Sequence, residues 1–247
     1  MAHAALSDAG EATAREVYCL HGIVHNETVV QSLAAKGMRF VESVDAVPEG
    51  AVMLISAHGT SPANRAAAES RGVRVVDATC PFVAAAHTKI RENFAAGMRT
   101  VIVGAPEHAE VRGYLGELGA CLPEDVKPGE RTGRVVQTTL DAGAHEGVCT
   151  ATRDRQQAVM DFIAQHRAGG QAVGVLVVGS AKSANTGRLA EIAERSGARS
   201  WRINSPDEIA AIDFAGIEML GVTSGASTPE ESLLAVLYAL KRLVQAV

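Results

Sequence analysis

The sequence predicts an α/β fold with mainly parallel sheets, built as three related α/β units around a pseudo-threefold axis. Three observations carry this. Apolar runs of strand length alternate with segments of helical spacing along the 247 residues. Three of the resulting segments align with one another. Two of the four cysteines stand at matching positions of that repeat.

The elements follow in order. Short runs rich in Val and Ile, bounded by Gly, Pro and Asp, predict strands over Val17–Leu20, Val52–Ser56, Val73–Asp77 and Thr100–Val103. The same reading predicts strands over Arg134–Gln137, Val173–Val178, Ser200–Ile203 and Met219–Thr223. Helical spacing or composition covers Thr28–Lys36, Ser61–Ser70, Pro81–Ala96, Glu110–Leu118, Arg153–His166, Ala184–Arg195 and Pro229–Gln245.

The repeat begins with "VYCLHGIVHNETVVQSLAAKGMRFVESVDAV", "TVIVGAPEHAEVRGYLGELGACLPEDV" and "VLVVGSAKSANTGRLAEIAERSGARSWRINSPDEI". Each reads as a strand, a polar loop, a helix, a Gly, a short strand and an acidic turn. Each is followed by a strand ending in Ser, Thr or His: "AVMLISAHGTSP", "GRVVQTTL" and "EMLGVTSGASTPEE". A Cys-led helix precedes the second and third copies, at Cys80 and Cys149, but not the first. The units are therefore drawn at 1–79, 80–148 and 149–247, the first without its leading Cys-helix and the second shortened.

Composition narrows the class. The chain is 47% hydrophobic and 21% charged, which is ordinary for a globular protein. The formal net charge of −5 gives no basic footprint for nucleic acid. No apolar run reaches the length of a membrane span. The opening "MAHAALSDAGEATARE" has neither the basic nor the apolar region of a secretory signal, so a cytoplasmic location is expected. In that compartment the cysteines read as core residues, metal ligands or reactive thiols.

In parallel α/β folds the loops at the carboxyl ends of strands build the site. Those loops carry His25 and Asn26, His58, His108 and Glu110, Thr138 and Thr139, Ser183 and Asn185, and Ser227. Neutral donors and helix starts of this kind suit an anion such as a diphosphate, and one carboxylate beside it can carry protons. Any one of these side chains is more often an ordinary cap or loop hydrogen bond. Taken singly, Cys80 and Cys149 are ordinarily small buried hydrophobes. Their equivalent repeat positions make them candidate ligands of one metal group. Thiolates in a near-threefold setting suit a [4Fe–4S] cluster better than zinc, because no CxxC pair occurs. Cys19 and Cys121 fall inside strand segments and read as structural. His87 and His166 lie on helices away from the strand ends and read as surface residues.

The motifs "VYCLHGIVHN", "SAHGTSP", "VVDATCPFV", "HAEV", "VQTTL", "VVGSAKSANTGRLAEIA" and "GVTSGASTPE" resemble the LytB-type 4-hydroxy-3-methylbut-2-enyl diphosphate reductases, from about Val17 to the C-terminus and in family order. The resemblance implies a trefoil of three α/β units and the last step of the non-mevalonate isoprenoid pathway. That step removes the substrate hydroxyl with a [4Fe–4S] cluster and external electrons, giving isopentenyl and dimethylallyl diphosphate. A ferredoxin or flavodoxin is the implied electron donor. By motif, the resemblance makes Cys80 and Cys149 cluster ligands and Glu110 the acid that helps protonate the substrate. It sets Thr138 near the substrate hydroxyl and makes His25, His58, His108, Ser183, Asn185 and Ser227 the diphosphate-binding set.

The sequence departs from the family in three places. The Pro-Arg-Gly-Phe-Cys-Ala-Gly-type motif with the first cluster cysteine is absent. Ala184 stands where the family has the second of two serines. Between Leu140 and Cys149 a family helix and strand are replaced by "DAGAHEGV". Three explanations are open: a late start or truncated gene, a divergent paralogue with another cluster ligand, or a relative without a cluster. A non-catalytic relative that binds a prenyl diphosphate or similar phosphorylated molecule is the alternative function.

Overall fold

The computed structural model describes residues 16–245. In chain order the elements are β1 (Val17–Leu20), α1 (Glu27–Ala35), β2 (Met38–Val41), β3 (Val52–Ile55), α2 (Pro62–Ser70), β4 (Arg74–Asp77) and α3 (Pro81–Ala95). There follow β5 (Arg99–Val103), α4 (Ala109–Leu115), β6 (Ala120–Cys121), β7 (Thr132–Val136) and α5 (Thr150–Ala168). The last are β8 (Val173–Val178), α6 (Ala184–Arg195), β9 (Arg199–Ile203), β10 (Met219–Ser224) and α7 (Glu230–Gln245).

The strands form three sheets, with orders β2-β1-β3-β4, β6-β5-β7 and β9-β8-β10. Every pairing between them is parallel. The repeat read from the sequence is thus present as topology. In each copy the first strand is central, a helix follows it, and the next two strands flank it. A Gly with positive φ stands between that helix and the next strand: Gly37 at 95°, Gly119 at 78° and Gly197 at 86°. A side chain there would strain the backbone, so these turns need Gly. The acidic turn of each copy is a short 3₁₀ helix, at Val44–Ala46, Pro123–Asp125 and Pro206–Ala211.

The chain divides into two compact units. One comprises 16–24 and Thr28–Thr138, the other His25–Glu27 and 139–245. The first unit holds the first two sheets. β1 and β3 are buried along their whole length. Val17, Cys19, Val52 and Leu54 pack with Leu33 and Met38 on one face of that sheet, while Tyr18, Leu20, Met53 and Ile55 pack with Val47 and Ala68 on the other. Sheets covered on both faces read as continuous apolar runs, which is why these strands show no alternation. In the second sheet Ile102 and Val135 pack against Val83 and Ile90 of α3 and Val111 and Tyr114 of α4.

The second unit is built on the third sheet. Val173, Val175 and Val177 pack with Val159 and Ile163 of α5 and with Leu189, Ile192 and Ala193 of α6. Leu176 and Val178 face Ile203, Ile209 and Val236. Each such aliphatic side chain contributes roughly 1.5–3 kcal/mol of burial.

Three details differ from expectation. α4 stops at Leu115 rather than Leu118, with Gly116 as its C-cap, where an added Cβ would meet the Ser61 side chain. α5 starts at Thr150 rather than Arg153, because Cys149 itself caps it. His87, read as a surface residue, is buried: its Nδ1 lies 2.8 Å from Glu117 Oε1. The partner is thirty residues away, so helix periodicity alone does not reveal it. His166 is half-buried, with Nδ1 2.8 Å from Gln171 Oε1. Among the described residues no helix is long and apolar enough to cross a membrane.

Candidate functional site

The first unit delivers a thiol where a strand ends. β4 closes at Asp77, whose Oδ1 accepts hydrogen bonds from Thr79 N at 2.9 Å and Thr79 Oγ1 at 2.5 Å. This turn leads to Cys80, the N-cap of α3, with Pro81 in the first helical turn. Pro suits that position because its missing N–H would have no intrahelical partner there. The Cys80 sulfur makes no capping hydrogen bond.

The second unit also caps a helix with a cysteine, though no strand leads directly to it. Cys149 is the N-cap of α5, and its sulfur accepts from Thr152 N at 3.4 Å. The thiol donates to Thr152 Oγ1 at 3.1 Å. That oxygen also accepts from Asn185 Nδ2 at 3.2 Å, and Asn185 Oδ1 accepts from Ala226 N at 3.1 Å. Both thiols are half-buried and in no disulfide. The other two cysteines are core residues. Cys19 is fully buried in β1, and burial pushes its thiol up to about 12. Cys121 is buried in β6, and burial raises its thiol too.

The first unit also holds a sealed carboxyl. Glu110 lies in the first turn of α4, where negative charge is favoured, and is 2% exposed. Its Oε1 accepts from Thr138 N at 2.5 Å and from the Tyr114 hydroxyl at 2.9 Å. Its Oε2 accepts from Thr138 Oγ1 at 2.9 Å. Thr138 stands two residues past the end of β7, so the strand end fixes the donor. Burial raises the Glu110 carboxyl above its ordinary range, and the bonds from Thr138 and Tyr114 oppose that rise. A buried acid held between these opposing effects is the kind of group that proton transfer uses. His108 caps α4, its Nδ1 accepting from Glu110 N at 3.2 Å. The His58 ring meets the His108 ring edge-on, with centroids 5.7 Å apart. His58 is set by Ser56, whose Oγ lies 3.3 Å from its Nδ1.

Four candidates gather in the second unit. Ser183 caps α6, its Oγ accepting from Thr186 N at 3.3 Å, and Asn185 follows in the first turn. Asn26 Nδ2 donates to Ser227 O at 3.3 Å, and Ser227 Oγ donates to His25 O at 3.5 Å. Glu27 pins the same segment: it accepts from the Ser180 side chain and pairs with Lys182 Nζ at 3.3 Å. Those contacts hold its carboxyl below the ordinary range, the Ser180 bond most of all. Burial lowers the His25 imidazolium. The result is a set of neutral donors around a helix N-terminus, a setting for an anion.

The thiol chemistry of Cys80 and Cys149 suits an iron–sulfur group, but the count does not reach a three-ligand set. Among the described residues no group of three or more His, Cys, Asp or Glu side chains could hold a metal ion. The best-formed groove of the first unit, about 780 Å³ and lined by Thr79, His87, Arg91, Phe94 and Glu117 among others, includes none of the candidate residues. It runs along α3 and reaches the end of β4 at Asp77 and Thr79.

Sequence reasoning missed Tyr114 and Thr152. Tyr114 follows Glu110 by four residues, which puts both on one helix face, and that spacing is the readable signal. Thr152 follows Cys149 by three, the spacing of a cap and its partner.

The model of the LytB protein family matches residues 1–147 and 132–241. The two matches overlap around the shortened stretch before Cys149. A 4-hydroxy-3-methylbut-2-enyl diphosphate reductase of Burkholderia pseudomallei is 36% identical over 92% of this chain and 80% of its own length. One from Ralstonia nicotianae is 37% identical over 92% of this chain and 77% of its own. The solved structure of the Plasmodium falciparum E-1-hydroxy-2-methyl-but-2-enyl-4-diphosphate reductase shares the fold, with a TM-score of 0.85 at 24% identity. That match covers 97% of this chain and 83% of the other. A second solved (E)-4-hydroxy-3-methyl-but-2-enyl diphosphate reductase matches with a TM-score of 0.68 at 27% identity, over 98% of this chain and 93% of the other. Three parallel sheets with one topology, cysteines that cap two helices and these relatives lead to one conclusion: the chain belongs to the LytB family, and by resemblance it is an enzyme.

Proposed function

We propose that this chain is a cytoplasmic reductase of 4-hydroxy-3-methylbut-2-enyl diphosphate that yields isopentenyl and dimethylallyl diphosphate. The observation that carries the reading is the sealed carboxyl of Glu110, held by both the N–H and the hydroxyl of Thr138. Replacing an allylic C–OH by C–H, with release of water, takes two electrons and two protons. Glu110 is the proton-carrying group, and Thr138 Oγ1 links it to the substrate hydroxyl. Burial keeps the carboxyl protonated to higher pH than an exposed Glu, which suits a proton donor.

The diphosphate falls to His25, Ser183, Asn185 and Ser227 in the second unit. Asn185 is the anchor of that set, because its amide ties the Cys149 end of α5 to the Ala226–Ser227 loop. Ala184 offers no hydroxyl, so backbone N–H groups at the start of α6 carry more of the anion. By resemblance Cys80 and Cys149 are thiolate ligands for a [4Fe–4S] cluster, which when bound would supply electrons received from a ferredoxin or flavodoxin.

Anaerobic reconstitution with iron and sulfide, followed by assay with a chemical reductant, tests the reading. The expected result is bound iron that depends on Cys80 and Cys149 but not on Cys19, together with both diphosphate products. A chain that binds no iron and forms no product overturns it. One observation favours a second reading, a ligand-binding relative without redox chemistry. The polar cluster at His25, Asn185 and Ser227 is fully built, whereas Cys19 and Cys121 are sealed in strands. That reading predicts pyrophosphate binding by calorimetry with no dependence on iron.

A further inference from the structure

α4 carries a tyrosine whose placement the family motif does not explain. Tyr114 is fully buried, and its hydroxyl donates to Glu110 Oε1 at 2.9 Å. Its ring is fixed from the other side. The His87 ring of α3 meets it edge-on, with centroids 5.0 Å apart and planes at 68°. His87 is itself held at Nδ1 by Glu117, and Glu117 Oε1 accepts from Arg91 Nη1 at 2.8 Å. The tyrosine cannot swing away without disturbing this buried chain.

We propose that Tyr114 is the positioning residue of the catalytic acid: its phenol O–H fixes Oε1 of Glu110, so that Oε2 stays turned to Thr138 Oγ1. The proposal rests on the reading of Glu110 as the proton carrier. Oε1 takes two donors, Thr138 N and Tyr114 Oη, and Oε2 takes one, Thr138 Oγ1. The carboxyl is thereby left with one defined oxygen on the hydroxyl path. A phenol also favours the ionised carboxylate after a proton has left, which opposes the effect of burial.

The groups around the carboxyl are few. α4 contributes Tyr114 and, at its cap, His108; the end of β7 contributes Thr138. α3 contributes His87, which reaches the tyrosine ring, and beyond it lie Glu117 and Arg91. Burial lowers the His87 imidazolium, so this neighbour is neutral near neutral pH. The donors that set the Glu110 titration are therefore Thr138 and Tyr114, with no cation bonded to the carboxyl.

The test is the titration of the Glu110 carboxyl in the chain without metal or substrate. It is read by carbon-13 resonance of labelled glutamate and assigned by difference with Glu110→Gln. Tyr114→Phe keeps the ring against His87 and deletes only the O–H. Its expected effect is a midpoint about one pH unit higher, since a hydrogen bond to a charged group has been lost. In turnover the limb of the pH–rate profile that belongs to Glu110 moves up with it, while KM stays within about twofold. Placing 3-fluorotyrosine at position 114 makes the phenol a stronger donor, and the midpoint moves down. This second variant decides the matter should Tyr114→Phe fail to fold. An unmoved midpoint in a folded Tyr114→Phe, or a fluorotyrosine shift in the same direction as Phe, overturns the proposal. The titration needs neither iron nor substrate, so loss of the reductase reading through absent turnover would be seen separately.

Discussion

The two compact units present their strand ends differently. The first holds an ionisable centre: a buried carboxyl wrapped by a threonine and a tyrosine, with two histidine rings beside the same helix start. The second holds a neutral one, in which Asn185, Ser183 and Asn26 join loop carbonyls and amides, and the one nearby carboxylate, Glu27, is paired with Lys182. Each unit also caps a long helix with a cysteine. The same topology, repeated, carries two kinds of polar cluster. A site that titrates suits proton movement, and a site of fixed neutral donors suits a permanently charged anion.

The largest expected effect separates these roles. Glu110→Gln keeps the shape of the first site and removes its proton. We expect turnover to fall roughly 10²–10⁴-fold, the range for loss of a positioned acid, with the calorimetric affinity for pyrophosphate unchanged. A matching loss of affinity would break the division between the units.

Asn185→Ala is the counterpart in the second unit. It removes the bridge from Thr152 to Ala226 and leaves Glu110 untouched. Pyrophosphate affinity should drop about 5–30-fold, as expected for one or two lost hydrogen bonds. The pH at which turnover is half-maximal should stay where it was. A moved pH profile would mean that the amide acts on the acid after all.

The smallest effect is on stability. The folded carboxyl of Glu110 titrates above its unfolded value of 4.5. Its neutral form therefore suits the fold, and stability is lost as pH rises from the unfolded value through the folded one. Glu110→Gln lacks this loss. Its melting temperature should exceed wild type by a few degrees at pH 8, and the gap should close towards pH 4.5. A gap that widens on acidification would contradict the burial of an acid at this position.

Much of this was legible in the sequence because it is local. The Gly after each repeat helix, the strand before it and the acidic turn after it are fixed within a few residues of one another, and all three copies fold as read. Cys80 and Cys149 were placed at helix starts by their repeat positions alone, and both are N-caps. What escaped is long-range or shared. His87 looks like a helix surface residue until Glu117 closes over it, and no spacing rule links positions thirty residues apart. The four-residue spacing puts Tyr114 and Glu110 on one helix face, but only the fold shows that its hydroxyl ends on Glu110. The pairing of Glu110 with Thr138 joins a helix start to the end of β7 across the second sheet, which motif order suggests but cannot measure.

One measurement tests the central claim most directly: product analysis after anaerobic reconstitution and chemical reduction, with wild type and Glu110→Gln run side by side on 4-hydroxy-3-methylbut-2-enyl diphosphate. The account predicts isopentenyl and dimethylallyl diphosphate from wild type, and a variant that still binds the substrate but forms almost none of either. Iron-loaded wild type that forms no product, or a Glu110→Gln variant that keeps pace with it, would contradict the account.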